Sequence, residues 1–173
     1  MSIDPLDSLR KEAEDFYRDR TERLYEFQSG RTSLLDLPSL YRDRSALGDA
    51  GAYRDVRSAL SIETEGLRRD RLALLGDALA ETFLESKTAA LDREIAEAQR
   101  GERVIDPVGG REITLPMLDI SIARTPGREQ RAARSSLQTE RLRSYGDRYA
   151  KRWRETQEAA VALGAAHEAA LFR

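Results

Sequence analysis

The sequence predicts a mostly α, elongated helical domain with two long antiparallel helices, several short helices and one β-hairpin. Apolar residues recur at steps of three and four along most of the chain, which is the period of an amphipathic helix. Charged residues make up 35% of the sequence, so the fold must offer a large solvated surface. The only clear strand signal lies at residues 102–116, and 173 residues suit one domain over residues 1–173.

The N-terminal third predicts one helix of moderate length followed by two short helices. Asp4 and Pro5 suit a capping position and the first helical position, and Gly30 is typical of the residue just beyond a helix end. A short helix is expected to begin near Pro38, and another is expected over residues 52–60. We therefore expect short connections between these helices.

The first long helix is predicted over residues 62–100, capped by Ser61 and ended by Gly101. At the usual rise it would be about 60 Å long. Its apolar residues change from one face to another near residues 86–88. We therefore expect the helix to kink there or to change its packing partner.

A β-hairpin is predicted over residues 102–116, because β-branched pairs flank a turn that contains Pro107 and the pair Gly109-Gly110. The two glycines indicate turn geometry, since a phosphate loop would need a longer glycine pattern, a lysine and a following helix. Residues 116–123 fit either a short helix or a strand. We favour the helix because Pro116 suits a first helical position.

The second long helix is predicted over Thr125–Leu163, with Gly164 just beyond its end. Arg134, Arg141, Arg148 and Arg152 form a line along this helix, called the arginine line below. They border one apolar face, whose members are Leu137, Leu142, Tyr145, Tyr149, Trp153, Ala160 and Leu163.

The arginine line allows two interpretations. Residues 124–154 hold ten basic and three acidic side chains, so these arginines could contact a polyanion such as nucleic acid, or an acidic protein. Alternatively, the aromatic residues are core and the arginines extend along its rim to carboxylates on a neighbouring helix. We favour ion pairs, and regard nucleic acid as an unlikely partner, because the whole chain carries a net charge of −2.

Residue chemistry predicts no catalytic, cofactor-binding or metal site. His167 is the only histidine and heads half of a His-Glu-x-x-His pattern, with Leu171 where the second ligand would stand. There is no cysteine, and the carboxylates are interleaved with arginines as on solvated helix faces. No apolar run is long enough for a membrane span, so a cytoplasmic protein is expected.

Several short motifs occur in a characteristic order along the chain. They are Phe16-Tyr17, Asp36-Leu37-Pro38-Ser39-Leu40-Tyr41, Arg71–Leu75, Glu81–Leu84, the predicted hairpin, Thr125–Arg131 and Leu163-Gly164. In this order the chain resembles the N-terminal, non-catalytic helical region of the oligoendopeptidase and thimet-oligopeptidase-like zinc metallopeptidases. The resemblance covers most of the chain but rests on order and spacing.

The resemblance implies a helical region that helps to wall a substrate channel and has no catalytic residues of its own. The zinc motif of the family has no counterpart up to Arg173, so zinc and endopeptidase activity are expected only with a downstream catalytic domain. The chain would then be a piece of a larger protein, and its partners would be that domain or another helical protein, and possibly peptide. The alternatives are a stand-alone helical interaction or scaffold module and, less favoured, anion binding through the arginine line.

Overall fold

A computed structural model describes residues 5–172, and it confirms a mostly α fold with one antiparallel hairpin. Asp4, predicted as a cap, lies outside the described residues. The elements are α1 (Pro5–Gln28), α2 (Leu37–Asp43), α3 (Ala50–Ile62), α4 (Gly66–Gly101), β1 (Arg103–Ile105), β2 (Glu112–Thr114), α5 (Leu115–Arg124), α6 (Arg128–Arg143), α7 (Gly146–Ala162) and a short 3-10 helix (Glu168–Ala170).

Local capping explains where several helices begin. The carboxylates of Asp36 and Asp49 accept hydrogen bonds from the backbone N–H groups of Ser39 and Ala52. Thr114 caps α5 in the same way, so the favoured helix over residues 116–123 is confirmed. The predicted cap at Ser61 is wrong, because Ser61 lies inside α3 and donates to a carbonyl within that helix.

The predicted helix Thr125–Leu163 is divided into α6 and α7. The N–H groups of Ser144 and Tyr145 bond to the carbonyls of Arg141 and Leu142, which closes a tight turn after α6. Gly146 follows, and glycine inside a helix costs about 1 kcal/mol relative to alanine. The turn therefore falls next to the only glycine within residues 128–162.

The described residues form two compact units. The first comprises the described parts of Met1–Arg93 and Arg152–Arg173, and the second comprises Glu94–Lys151. The prediction of a single domain stays a prediction.

In the first unit, α1 lies on α4. The Tyr17 hydroxyl donates to the Glu81 carboxylate at 2.8 Å, and Phe16 is fully buried with its ring centroid 5.2 Å from that of Tyr41. Helix α3 approaches α4 closely at Gly76, where an added Cβ would meet Val56 at 3.7 Å. The unit is therefore assembled on α4.

In the second unit, the hairpin and α5 enclose a small core. Strands β1 and β2 pair antiparallel, with Val104 opposite Ile113. The hairpin loop turns at Gly110, whose φ of 65° suits glycine. The buried residues of this core are Val104, Leu115, Leu118 and Tyr145.

The end of α4 and the start of α7 run antiparallel within the second unit. Gln99 donates to the Tyr149 hydroxyl at 2.8 Å, and Glu94 pairs with Arg148 at 3.0 Å. The Tyr145 hydroxyl donates to Glu102 at 2.7 Å. The later residue Glu102 thus meets the earlier residue Tyr145, and the earlier residue Glu94 meets the later residue Arg148, which is the antiparallel order that the sequence predicts for the two long helical segments.

Candidate functional site

Arg134 makes the most enclosed ion pair of the second unit. Its Nε and Nη2 atoms donate to the two carboxylate oxygens of Asp106 at 2.8 and 2.6 Å, and Nη1 donates to the hydroxyl of Thr125. Both charged side chains are largely shielded from solvent. Hydrogen bonding by Arg134 lowers the pKa of Asp106 to about 2, and the Val108 N–H also donates to that carboxylate. Arg134 therefore fastens the hairpin loop to α6.

Arg141 and Arg148 make more exposed pairs in the same unit. The Nε atom of Arg141 lies 4.0 Å from the carboxylate of Glu102, and Arg148 lies 3.0 Å from Glu94. The Arg148 guanidinium also lies 5.5 Å from the ring centroid of Tyr145. Pairs this exposed contribute at most about 1 kcal/mol each. They orient side chains more than they stabilise the unit.

Arg152 belongs to the first unit, where it pairs with Asp92. The Asp92 carboxylate also accepts a hydrogen bond from Thr88 at 2.8 Å. Each member of the arginine line therefore contacts a carboxylate, and the ion pairs favoured from the sequence are present. Contact with an external anion or partner stays a prediction for Arg134, Arg141, Arg148 and Arg152.

The aromatic face predicted beside the arginine line is only partly core. Tyr145 is buried, and burial, followed by its hydrogen bond to Glu102, raises its pKa to about 12. Trp153 is 62% exposed, and Leu142 and Tyr149 are also exposed. The expectation that these three residues are core is wrong: the buried residues of α7 are Thr156, Ala159 and Ala160, so burial is confined to the second half of that helix, and α6 has no buried residue.

Sequence reasoning missed a half-buried polar cluster in the first unit. Glu85 on α4 pairs with Arg20 on α1 and accepts a hydrogen bond from the hydroxyl of Tyr41 on α2 at 2.6 Å. Burial raises the pKa of Glu85, although Tyr41 and Arg20 oppose that rise. The pKa values of Tyr17 and Tyr41 are also raised, first by burial and then by the neighbouring carboxylates. The cluster joins three helices and has no nucleophile placed for catalysis among the residues described.

A spacing rule could have found this cluster. Glu81 and Glu85 are four residues apart on α4, and Tyr17 and Arg20 are three apart on α1, so each pair occupies one helix face. Two such faces can meet when the helices lie side by side. The sequence alone does not say which of many such faces do meet.

An open groove runs between α1 and α4 in the first unit. One part has a volume of about 200 Å³ and a neighbouring part about 420 Å³, and both are lined by Arg10, Arg71 and Leu75. Arg10 is paired with Glu14 at 2.6 Å. The exposed guanidinium of Arg71 has no partner among residues 5–172. The groove therefore combines an apolar wall with the unpaired guanidinium of Arg71, and its other charged lining residues are both arginines and carboxylates.

His167 is exposed and lies just before the short 3-10 helix, outside any α-helix. Within residues 165–172 the structure has only this single helical turn. Within the described range, no group of histidine, aspartate and glutamate side chains is arranged to hold a metal ion. None of the helices in that range is both long enough and apolar enough to cross a membrane.

The chain was compared with protein-family models, with curated proteins and with solved structures, and none of these comparisons gives a match. The resemblance to the oligopeptidases thus rests on the motifs in the sequence and stays a prediction.

Proposed function

We propose that this chain is the helical, non-catalytic front portion of an oligopeptidase-like zinc metallopeptidase, where it forms part of the wall of the substrate channel. It supplies no catalytic residue and no zinc ligand in this role. Its partner is a catalytic domain that carries the zinc site, and the ligand that its helices face is peptide.

The observation that carries this proposal is the order of the elements. A first helix bears Phe16-Tyr17, and Asp36 then caps a short helix at the Asp-Leu-Pro motif. The 36-residue helix α4, the hairpin and a helix that begins at Arg128 follow in the order in which the family's motifs occur. The catalytic half of the longer protein is where this proposal is tested.

The groove between α1 and α4 supports a peptide-facing role. Ala13, Leu74, Leu75 and Ala78 give it apolar walls, and the groove is open along its length. Arg71 can bind a peptide carboxylate with two parallel hydrogen bonds. Such a wall would favour peptides that carry a carboxylate next to an apolar side chain.

The reading frame beyond Arg173 tests the proposal at the level of sequence. We expect a following segment with a helix that carries His-Glu-x-x-His and a glutamate ligand further along. A continuation without that zinc motif would exclude the proposed role.

The groove is tested in the longer protein by the variants Arg71→Glu and Leu74→Asp. We expect KM for an acidic peptide to rise by about tenfold with kcat nearly unchanged, because the groove binds the substrate equally before and during the reaction. Arg42→Glu is the matched control, since Arg42 is exposed on α2 and does not line the groove. Equal effects of Arg42→Glu and Arg71→Glu on KM would contradict the peptide-facing role of the groove.

A stand-alone helical interaction or scaffold module is the second candidate, and the exposure of large apolar side chains favours it. Ile62 is 82% exposed, and Leu74 and Trp153 are also largely in solvent. Light scattering on the 173-residue chain tests this candidate directly. A stable monomer over a wide concentration range would count against a module that dimerises through these faces.

A further inference from the structure

Helix α5 in the second unit is apolar on two faces, and only one of them is used by the core. Leu115 and Leu118 are buried against Val104 and Tyr145. Met117 and Ile120 lie on the other face and are about half exposed. A surface helix normally needs one apolar face, so the second face calls for its own explanation.

This second face forms one wall of a hollow of about 370 Å³. Val108 from the hairpin loop lines it together with Met117 and Ile120, and Pro126 and Arg134 line it as well. The hollow is therefore assembled from three separate elements of one compact unit. Its aliphatic surface comes from Val108, Met117, Ile120 and Pro126 together, so it is larger than one exposed side chain would provide.

The rim of the hollow is basic. Arg124 and Arg134 are its only charged lining residues, and Asp106 already neutralises Arg134. Arg124 has no partner among the described residues. In the first turns of α6, Arg131 donates only to the backbone carbonyls of Thr125 and Pro126, so its positive charge is uncompensated as well.

We propose that the hollow docks an acidic amphipathic segment of a protein partner, with an aliphatic side chain in the hollow and a carboxylate on Arg124. Charge complementarity selects the acidic partner, because a basic segment would meet Arg124 and Arg131. The aliphatic walls select protein over nucleic acid, since no aromatic residue lines the hollow to stack on a base. This inference does not depend on the proposed function.

The expected affinity is modest. A hollow that admits one or two side chains forms an interface well below about 1,000 Å², which is typical of transient contacts. We therefore expect a dissociation constant in the micromolar range or weaker, on the order of 10–100 μM.

Nuclear magnetic resonance on the isotope-labelled full chain tests the proposal. The probe is a short synthetic helical peptide with Leu and Glu at helical spacing, and its matched control has every Glu replaced by Lys. A single-stranded oligonucleotide of similar charge is the third probe. We expect the Leu-Glu peptide to shift the amide signals of Val108, Ile120 and Arg124, and the other two probes to leave them unchanged.

Three variants locate the contact. Arg124→Glu and Met117→Ser should each weaken binding of the Leu-Glu peptide by about tenfold or more, through loss of the ion pair and of the apolar contact respectively. Both residues are exposed, so neither change threatens the fold. Arg111→Glu is the matched control, because Arg111 is exposed in the same unit and does not line the hollow.

The proposal is overturned if the Leu-Glu peptide causes no shifts at about 1 mM, a concentration that would reveal even millimolar affinity. It is also overturned if the Leu-Lys peptide or the oligonucleotide binds the hollow more tightly, or if Arg111→Glu weakens binding as much as Arg124→Glu. Shifts confined to the other unit would have the same consequence.

Discussion

Replacement of Glu85 tests how α1 and α2 are held on α4. Its carboxylate pairs with Arg20 and accepts the hydrogen bond of Tyr41, and the two charged side chains are only 20% and 24% exposed. The Nε atom of Arg20 is already buried without a partner. Glu85→Ala would remove the carboxylate that accepts hydrogen bonds from this guanidinium and from the phenol.

The magnitude follows from what each substitution leaves behind. Breaking a fully buried ion pair costs about 3–5 kcal/mol, so we expect Glu85→Ala to lower the free energy of unfolding by about 3 kcal/mol at this partial exposure. Glu85→Gln keeps an acceptor oxygen and removes a charge that burial disfavours, as the raised pKa of Glu85 indicates. We expect it to cost about 1 kcal/mol or less.

The pH dependence has a definite sign. Because the pKa of Glu85 is higher in the folded chain, its favourable contribution is complete below its ordinary pKa and is lost as pH rises through the folded value. The free energy of unfolding of the wild type, relative to that of Glu85→Gln, should therefore decrease as pH rises from acid to neutral. An increase of this difference with pH would mean that Arg20 lowers the pKa of Glu85 more than burial raises it.

Urea denaturation followed by circular dichroism measures these differences. Glu14→Ala is the matched control, because Glu14 pairs with Arg10 in solvent and should contribute less than about 0.5 kcal/mol. A loss below about 1 kcal/mol for Glu85→Ala, or equal losses for the alanine and glutamine variants, would refute the reasoning.

Three further predictions concern the second unit and the arginine line. Leu118→Ala should lower the free energy of unfolding by about 3 kcal/mol because Leu118 is fully buried, whereas Ile120→Ala, at 45% exposure, should cost under about 1 kcal/mol; similar urea midpoints would contradict the described core. The pKa of Asp106 is about 2 because Arg134 donates to its carboxylate. The stabilisation that Asp106 contributes is therefore complete above the ordinary pKa of aspartate and is lost as pH falls from there to about 2. The free energy of unfolding of Asp106→Asn should depend less steeply on pH in this acid range, and equal slopes for the variant and the wild type would contradict this. Fluorescence anisotropy should detect no binding of a labelled oligonucleotide near physiological salt, because each member of the arginine line is already paired with a carboxylate. Salt-sensitive binding that is lost when all four arginines are replaced by alanine would contradict this, since it would show that phosphates displace those carboxylates from the arginines. Those four residues are Arg134, Arg141, Arg148 and Arg152.

Local chemistry made much of the fold predictable. The hairpin lies where β-branched residues flank Gly109-Gly110, and Asp36 caps α2, whose first two residues are Leu37 and Pro38. A cap or turn acts within about four residues, so the sequence contains all of the interacting groups. The predicted start of α4 at residue 62 is four residues too early. The connection between α3 and α4 is held by Glu63 and not by Ser61, because the Glu63 carboxylate accepts hydrogen bonds from the N–H groups of Thr64 and Glu65.

Features that depend on distant residues were not predictable in the same way. The arginine line was visible, but that Arg134 selects Asp106 depends on how the hairpin loop meets α6. The exposure of Trp153 depends on which part of α7 other elements cover, and the buried residues of that helix are Thr156, Ala159 and Ala160. The groove and the hollow exist only where separate elements meet, so no periodicity along one helix reports them.

The most direct measurement is peptidase activity of the protein expressed from Met1 through the natural end of its reading frame. The proposed role predicts zinc bound in about equimolar amount, hydrolysis of short internally quenched peptides, and loss of both when the histidines of the downstream zinc motif are replaced. The 173-residue chain alone should bind no zinc and cleave none of these peptides. A longer protein without zinc or peptidase activity, or a reading frame that ends at Arg173, would contradict the proposed role.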